Sequence, residues 1–207
     1  MSSFLSAGCI YKEESYRNVI KKYIDLISEV ESIEIDNLVC YNLENDISID
    51  MDLEKLEKGG NFSEVTHINC SHLGSNWSFT VRLYEEDGYQ GVLFDMSYDY
   101  IPEDFSFQSL EGNIISVLMA IHSCYPYYFS FVDTEAEVDM FDEPTNIDPL
   151  ESPYAAIVIP NNNDFHIYLN SWEIDGMTGR DKKDCVKRKT SFSINELLNN
   201  MFTDNII

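Results

Sequence analysis

Three residues of metal-ligand type lie close together in the segment HINCSH: His67, Cys70 and His72. Imidazole and thiolate groups are ligands that zinc and other transition metals prefer. His67 and His72 are five positions apart, and this odd spacing would point them to opposite faces of a regular strand. The pattern therefore favours ordinary strand packing over a metal site, and we predict no metal and no cofactor.

Two residues of catalytic type, His122 and Cys124, stand at the end of an apolar helical stretch. Residues two positions apart on a helix do not face each other, so this pair does not form a nucleophile and its base. The chain also contains no GxSxG, HExxH or GxGxxG pattern. We therefore predict that the protein is not an enzyme and has no catalytic residues.

A third set of reactive side chains belongs to the acidic segment DTEAEVDMFDEPTNID, residues 133–148. Carboxylate oxygens are the ligands that calcium prefers, but the segment lacks the central glycine and the ligand order of an EF-hand loop. Its carboxylates are predicted to lie on a solvated acidic surface.

Charge is distributed very unevenly along the 207 residues. The 37 acidic and 13 basic side chains give a formal net charge of -24, and no Lys or Arg occurs between Arg82 and Arg180. A negative field of this size repels nucleic acids and anionic membranes and accelerates association with basic proteins. The basic segment RDKKDCVKRK, residues 180–189, is interpreted as a solvated loop that pairs with the acidic surface.

The segment EEDGYQGVLFDMSYDYIPEDFSF, residues 85–107, combines acidic and aromatic side chains without any Lys or Arg. Tyrosine offers a large contact area at a small entropy cost, and carboxylates steer a basic partner and pair with it. Together with residues 133–139, this segment supplies the candidates for partner binding: Glu85, Glu86, Asp87, Tyr89, Asp95, Tyr98, Asp99, Tyr100, Glu103, Asp104, Asp133, Glu135, Glu137 and Asp139.

The cysteines and the N-terminal segment indicate the compartment. The five cysteines are widely spaced and form no CxxC pair, and MSSFLSAGCIYKEE lacks the basic region and long apolar core of a signal peptide. No apolar run reaches the length of about 18 residues that suits a membrane-spanning helix. We expect a reduced protein of the cytoplasm.

Two periodicities predict the elements that position these residues. Helical spacing of apolar residues predicts a helix in KEESYRNVIKKYIDLISEV and another in SLEGNIISVLMAIHSC, which Pro126 ends. Alternation in NWSFTVRLY, followed by the turn EEDG and by YQGVLFDMSY, predicts a hairpin, and YAAIVIP with FHIYLN predicts a second one. A short C-terminal helix in SINELLNNMF begins with a capping box formed by Ser193 and Glu196.

The order of these elements predicts the fold class. It is α+β, with a mainly antiparallel sheet, two longer helices and a short C-terminal helix. We expect residues 1–207 to form a single domain. Both halves, about 1–100 and 101–207, run strand, helix and strand pair, so a second interpretation is a duplicated βαββ-like unit within that domain.

In composition and in the order of its elements, the chain resembles the immunity proteins of bacterial polymorphic toxin and contact-dependent inhibition systems. That resemblance implies a one-to-one inhibitor that binds a cognate toxin domain, often a basic nuclease, and blocks its active site or an exosite. By this analogy the partner is a basic protein rather than a nucleic acid or a membrane. The contact regions implied are the hairpin from Glu85 to Asp104 and the acidic segment 133–148.

Two other functions fit the same residues. A phage-type mimic of nucleic acid would use the same charge, but it would need carboxylates spaced like phosphates along an elongated surface. A metal-dependent enzyme would be built from the Cys, His and carboxylate side chains.

Overall fold

Alternating and helical patterns along the chain become one antiparallel sheet with helices on one face. The computed structural model describes residues 4–12, 14–42, 46–86, 88–134, 147–152, 154–170 and 183–203. Ten strands run through the described residues: β1 (Phe4–Lys12), β2 (Ile33–Asn42), β3 (Ile47–Met51), β4 (Val65–His72), β5 (Ser78–Glu86), β6 (Tyr89–Ser97), β7 (Phe129–Thr134), β8 (Ala156–Asn161), β9 (Asp164–Leu169) and β10 (Lys183–Arg188). The helices are α1 (Tyr16–Ser28), α2 (Leu53–Glu57), α3 (Phe107–Cys124) and α4 (Ile194–Asn199).

The order of strands across the sheet is β10-β9-β8-β7-β1-β6-β5-β4-β2-β3. Each pair of neighbours is antiparallel. Both halves of the chain supply strands to this sheet, and β1 lies between β6 of the first half and β7 of the second. The α+β class is confirmed at this level, although the sheet accounts for more of the structure than the sequence pattern indicated.

The helices and the main core lie on one face of the sheet. The apolar stripe of α1, which includes Val19, Tyr23 and Ile27, is buried, and the Ser15 side chain caps this helix by accepting from the Asn18 backbone N–H. Helix α3 is buried over most of its length. Every second residue of β1, such as Leu5 and Cys9, points into this core. None of the described helices combines the length and the apolar composition that a membrane-spanning segment requires.

A smaller apolar cluster lies on the opposite face, over the centre and the second half of the sheet. It contains Ile10, Leu93, Phe129, Phe131, Tyr154 and Ile157. The rings of Phe131 and Tyr154 stack with centroids 3.9 Å apart, so the chain segment before β8 covers this part of the face. Its members lie on alternate residues of the strands, as half-buried strands require.

Polar side chains cross the first half of that same face in one transverse row. Asn69 donates to Asn37 at 2.6 Å, and Thr80 donates to Asn69 at 2.9 Å. Thr80 lies opposite Asp95, which accepts from the Ser6 hydroxyl at 2.6 Å. Arg82 of β5 also donates to Asp95. Together these contacts tie β2, β4, β5, β6 and β1 together on the face that no described helix covers.

The predicted hairpins form, and each predicted helical segment contains a helix, although the helix bounds differ from those predicted. Strands β5 and β6 pair, but Glu85 and Glu86 of the predicted EEDG turn belong to β5 and lie opposite Gln90 and Tyr89. Strands β8 and β9 pair around residues 162–163. Helix α4 begins with the predicted capping box, because Ser193 accepts from the Glu196 backbone and the Glu196 carboxylate accepts from the Ser193 backbone.

The prediction of a solvated loop at residues 180–189 is wrong for residues 183–188. These residues form β10, the last strand at one edge of the sheet, paired with β9 from Lys183 opposite Leu169 to Arg188 opposite Asp164. Backbone groups at the open edge of β9 can be satisfied by any strand, and a strand rich in charged side chains suits an edge. Residues 180–182 lie outside the described part of the chain.

Candidate functional site

The acidic and aromatic segment 85–107 is divided between the two ends of β6. Glu85 and Glu86 end β5, and Tyr89 begins β6 at the hairpin end of the sheet. Residues 98–104 follow β6 at the opposite end, and we call them the acidic turn. The eight residue steps from Tyr89 to Ser97 correspond to about 26 Å of extended strand. The candidates therefore form two separate surfaces, and Asp87 lies outside the described residues.

The acidic turn is held in place by its own polar and aromatic contacts. The Ser97 hydroxyl accepts from the Asp99 backbone N–H at 3.2 Å, which caps a short 3-10 turn at residues 98–100. The hydroxyls of Tyr100 and Ser78 are 2.9 Å apart, and the ring of Tyr98 packs 5.5 Å from that of Phe107. Both tyrosines are half-buried, so their rings fix the turn to the end of the sheet.

Three carboxylates project from this fixed turn. Asp99, Glu103 and Asp104 are exposed. The Phe105 backbone N–H donates to the Pro102 carbonyl at 2.9 Å, which closes the second bend of the segment. Exposed carboxylates on an ordered turn can pair with Lys and Arg of a partner without a large cost of ordering the backbone.

Asp95 is bound inside the sheet rather than presented at its rim. Asp95 is only 9 % exposed, and its carboxylate accepts hydrogen bonds from the guanidinium of Arg82 and from the Ser6 hydroxyl. These partners leave little of the Asp95 carboxylate for another protein. The side chain stabilises the polar row, and its part in partner binding stays a prediction.

Asp133 lies at the same end of the sheet as the acidic turn, because β7 pairs with β1 so that Asp133 faces Ser6. The carboxylate accepts from the backbone N–H groups of Thr134 and Ala155, at 2.6 and 3.2 Å. Burial raises the pKa of Asp133, and these hydrogen bonds act against the rise. Glu135, Glu137 and Asp139 lie outside the described residues.

The hairpin end carries cations that the sequence order did not reveal. Lys12 stands opposite Tyr89, and the Lys22 ammonium lies 3.5 Å from a Glu14 oxygen and 3.9 Å from the ring centroid of Tyr125. Glu85 is exposed at this end. These cations reduce the negative potential at the hairpin end. They come from other parts of the chain, since no Lys or Arg follows Glu85 in the sequence until Arg180.

Three strands, β1, β5 and β6, adjoin the acidic turn. Among their described residues, the basic side chain directed toward this end is that of Arg82, and Asp95 matches its charge. Lys12, the other base of these strands, is at the far end of β1. Of the two acidic surfaces, the acidic turn is therefore the one whose carboxylates are less neutralised by the described bases of β1, β5 and β6.

The residues of metal-ligand type do not converge. His67 lies opposite Arg82 on the open face, and burial together with Arg82 lowers its pKa. Cys70 points into the core, where burial raises the pKa of its thiol to about 12, and His72 stacks on Trp77 with ring centroids 4.9 Å apart. Within the described part of the chain, no group of three His, Cys, Asp or Glu side chains could hold a metal ion.

The two residues of catalytic type, His122 and Cys124, are also separated. The His122 ring packs edge-on against the rings of Tyr127 and Phe165, with centroids 4.8 and 5.2 Å away, whereas Cys124 is exposed at the end of α3. Burial lowers the pKa of His122, and Lys189 lowers it further. The imidazole therefore serves as an aromatic packing group next to β9.

A cavity of about 90 Å³ lies between α1, α3, α4 and the sheet. Apolar side chains such as Leu26, Val117 and Leu198 line it, together with the ring of Tyr23. This lining offers no set of polar groups that could orient a reacting substrate.

Sequence reasoning missed the exposed edge of the sheet at β3. Ile47 and Ile49 of β3 are 52 % and 48 % exposed. Nothing in a local pattern shows which strand lies at an edge, because the neighbours of a strand are set by pairing across the whole fold.

Comparison with known families links the chain to an immunity protein family. A family model described as Immunity protein 64 matches residues 13–180, which run from the start of α1 through β9 and include both acidic segments. No curated protein and no solved structure gives a match.

Proposed function

Because the chain belongs to the Immunity protein 64 family, an immunity protein family of toxin systems, we propose that it is a non-enzymatic inhibitor that binds a cognate toxin domain directly. The observation that carries the proposal is the family match over residues 13–180. The dispersed histidines and cysteines described above support binding rather than catalysis.

The partner proposed is a basic protein, for which a nuclease toxin domain is the leading candidate. The formal net charge of -24 supports this choice, since a strongly acidic inhibitor is attracted to a basic surface and associates with it rapidly. The same charge disfavours a nucleic acid or an anionic membrane as the direct partner.

The acidic turn is the proposed centre of the contact surface. It presents Asp99, Glu103 and Asp104 on an ordered backbone, with Tyr98 and Tyr100 at its base. Asp133 lies at the same end of the sheet and extends the proposed surface. Glu135, Glu137 and Asp139, which lie outside the described residues, are proposed as further contacts from the sequence alone. Glu85, Glu86, Asp87 and Tyr89 at the hairpin are proposed as a secondary contact. They rank second because Lys12, opposite Tyr89, reduces the negative potential there.

We place this function in the cytoplasm. All five cysteines are free thiols in the structure, and three of them, Cys9, Cys40 and Cys70, are buried. Free buried thiols without a disulfide framework suit a reducing compartment.

Co-purification with a toxin domain tests the proposal. The C-terminal domain of the toxin encoded beside this gene is tagged, and the protein is recovered with it at about 50 mM and about 500 mM salt, where charge pairs are screened to different extents. We expect a complex at low salt that is weakened at high salt. Failure to recover a complex at low salt, with both proteins folded, would refute the proposed function for that pair.

A further inference from the structure

The two edges of the sheet are protected to different degrees. At one edge, β10 carries Lys187 and Arg188. At the other edge, β3 has the sequence ISIDM, with no Lys, Arg or Pro. Proteins usually prevent unwanted pairing at an edge with charges, Pro, bulges or a covering segment. Of the two edges, β3 is the one that its own sequence leaves open to another strand.

The apolar side chains of β3 continue the helix-side face of the sheet beyond the helices. Ile49 lies opposite Cys40, which is 3 % exposed and belongs to the main core, and Ile47 lies opposite Asn42. Met51, opposite the buried Leu38, still packs against the core. Ile47 and Ile49 remain about half exposed, so a strand added outside β3 would bury them from the side.

The other face of β3 is polar and negative. Ser48 and Asp50 are exposed and alternate with the isoleucines. In the sequence, residues 44–57 contain six acidic residues and a single Lys. A strand that complements this edge would carry apolar side chains on one face and Lys or Arg on the other, because cross-strand pairs on each face must match.

We propose that β3 is an interaction site at which the cognate toxin domain adds an extended strand with alternating apolar and basic residues to the sheet. This inference rests on the proposed function, and it identifies the mode of recognition. Backbone hydrogen bonds to the outer side of β3, where no described strand pairs with it, would supply affinity, while Ile47, Ile49 and Asp50 would select the strand.

Charge argues against a second copy of this chain as the occupant. Antiparallel pairing of two β3 strands would bring two ISIDM segments together, each within a stretch of six acidic residues and a single Lys, and each on a molecule of net charge -24. Like charges across a strand pair are unfavourable. A basic strand removes this repulsion, so the toxin is the favoured occupant.

The proposed strand addition should affect mainly the dissociation rate, whereas the acidic turn should affect mainly the association rate. Exposed rim charges mainly increase the association rate, whereas short-range packing and backbone pairing mainly slow dissociation. Variants in β3 should therefore change the dissociation rate, and this difference separates the two surfaces in one kinetic experiment.

The test uses the full chain and the toxin domain encoded beside its gene. The variants are the double substitution Ile47→Ser with Ile49→Ser, and the single substitution Asp50→Lys. Val186→Ser on β10 is the matched control, because Val186 is 58 % exposed on the opposite edge. We expect dissociation to be about tenfold faster or more for the isoleucine double variant, a size typical of loss of a central contact. Asp50→Lys should both slow association and speed dissociation, because it sets a positive charge against the basic strand. The control should stay within about twofold of the wild-type rate.

Hydrogen exchange of the wild-type protein gives a second readout that needs no variant. In the complex, backbone N–H groups of residues 47–51 should exchange more slowly than in the free protein, whereas those of residues 183–188 should be unchanged. This measurement decides the proposal even if a β3 variant fails to fold.

The outcomes separate this inference from the proposed function. If the complex forms but residues 47–51 are not protected, strand addition is overturned and the inhibitor role is left intact. The same holds if the toxin domain dissociates from both β3 variants at the wild-type rate. A free protein that dimerises with residues 47–51 protected identifies a second copy as the occupant and also overturns the proposal. Absence of any complex removes both.

Discussion

At the scale of single residues, Gly8 shows how tightly the smaller apolar cluster is packed against the backbone of β1. The ring of Phe131, on the neighbouring strand β7, occupies the space that a Cβ atom at position 8 would need. The ring in turn stacks on Tyr154 with an interplanar angle of 6°. An added methyl group would therefore have to displace two stacked rings, because protein interiors are close-packed.

We predict that Gly8→Ala lowers the free energy of unfolding by about 2 to 3 kcal/mol, the usual cost of overpacking a rigid site. Combining it with Phe131→Leu, which makes room above position 8, should cost less than the sum of the two single substitutions. Denaturant titration measures each variant. Wild-type stability for Gly8→Ala would show that the ring is not held against β1.

His122 should make stability depend on pH. Burial, and then Lys189, lower its pKa in the folded protein, so the folded state binds a proton less readily than the unfolded chain. The contribution of His122 is therefore fully present above the ordinary pKa of histidine and is lost as the pH falls through the lowered value.

The substitution His122→Phe removes this titration and keeps an aromatic ring between Tyr127 and Phe165. We predict that the free energy of unfolding of His122→Phe, relative to wild type, increases as the pH falls from 7.5 to 5.5. The measurement is denaturant unfolding at each pH. A difference that is constant over this range would mean that burial of the ring does not affect its protonation.

At the scale of elements, the capping box of α4 fixes the end of the helical layer. Helix α4 has only six residues, and short helices depend on their caps and on packing. Leu197 is fully buried, and the Asn113 side chain of α3 donates to the Met201 and Thr203 carbonyls just beyond α4. Both ends of the element are thus tied by named polar contacts.

Ser193→Ala should lower the free energy of unfolding by about 1 kcal/mol, the typical value of an N-cap. Ser191→Ala, two residues earlier in an exposed position, is the matched control and should change stability by less than about 0.5 kcal/mol. Thermal unfolding of the two variants side by side measures the difference. Equal stability of both variants would contradict a role for the cap.

The same scale explains which parts of the fold and site the sequence could predict. Helix α1 and the β5–β6 hairpin follow from local periodicity, which a single segment contains in full. The edge positions of β3 and β10 depend on how all the strands of the sheet pair, which no single segment contains. For the same reason, an acidic stretch that is continuous in sequence was divided between two ends of β6, and Asp95 was paired with Arg82 inside the sheet.

At the scale of the whole molecule, the distribution of charge separates the two ends of the sheet. At the hairpin end, Lys12 stands opposite Tyr89 and Lys22 pairs with Glu14. At the acidic-turn end, the base on the adjoining strands β1, β5 and β6 is Arg82, whose charge is matched by Asp95. Surface charges act over about a Debye length, roughly 8 Å at physiological salt, so neutralisation is local. The steering field should be strongest at the acidic turn.

Two triple substitutions with the same change in net charge test this difference. We predict that Asp99→Lys, Glu103→Lys and Asp104→Lys together slow association with the toxin domain about tenfold or more at low salt, and weaken its salt dependence. Glu85→Lys, Glu86→Lys and Asp87→Lys together should slow it about threefold or less. Stopped-flow association rates over a range of salt concentrations provide the comparison. Equal effects of the two triples would mean that total charge, rather than the acidic turn, guides the partner.

The most direct test of the inhibitor role is growth of bacteria that express the toxin domain encoded beside this gene. Co-expression of the wild-type protein should restore growth. The triple substitution at the acidic turn should restore it less well at the same protein level. Growth arrest that persists although the folded wild-type protein is present in excess would contradict the conclusion that this chain neutralises its cognate toxin by binding it.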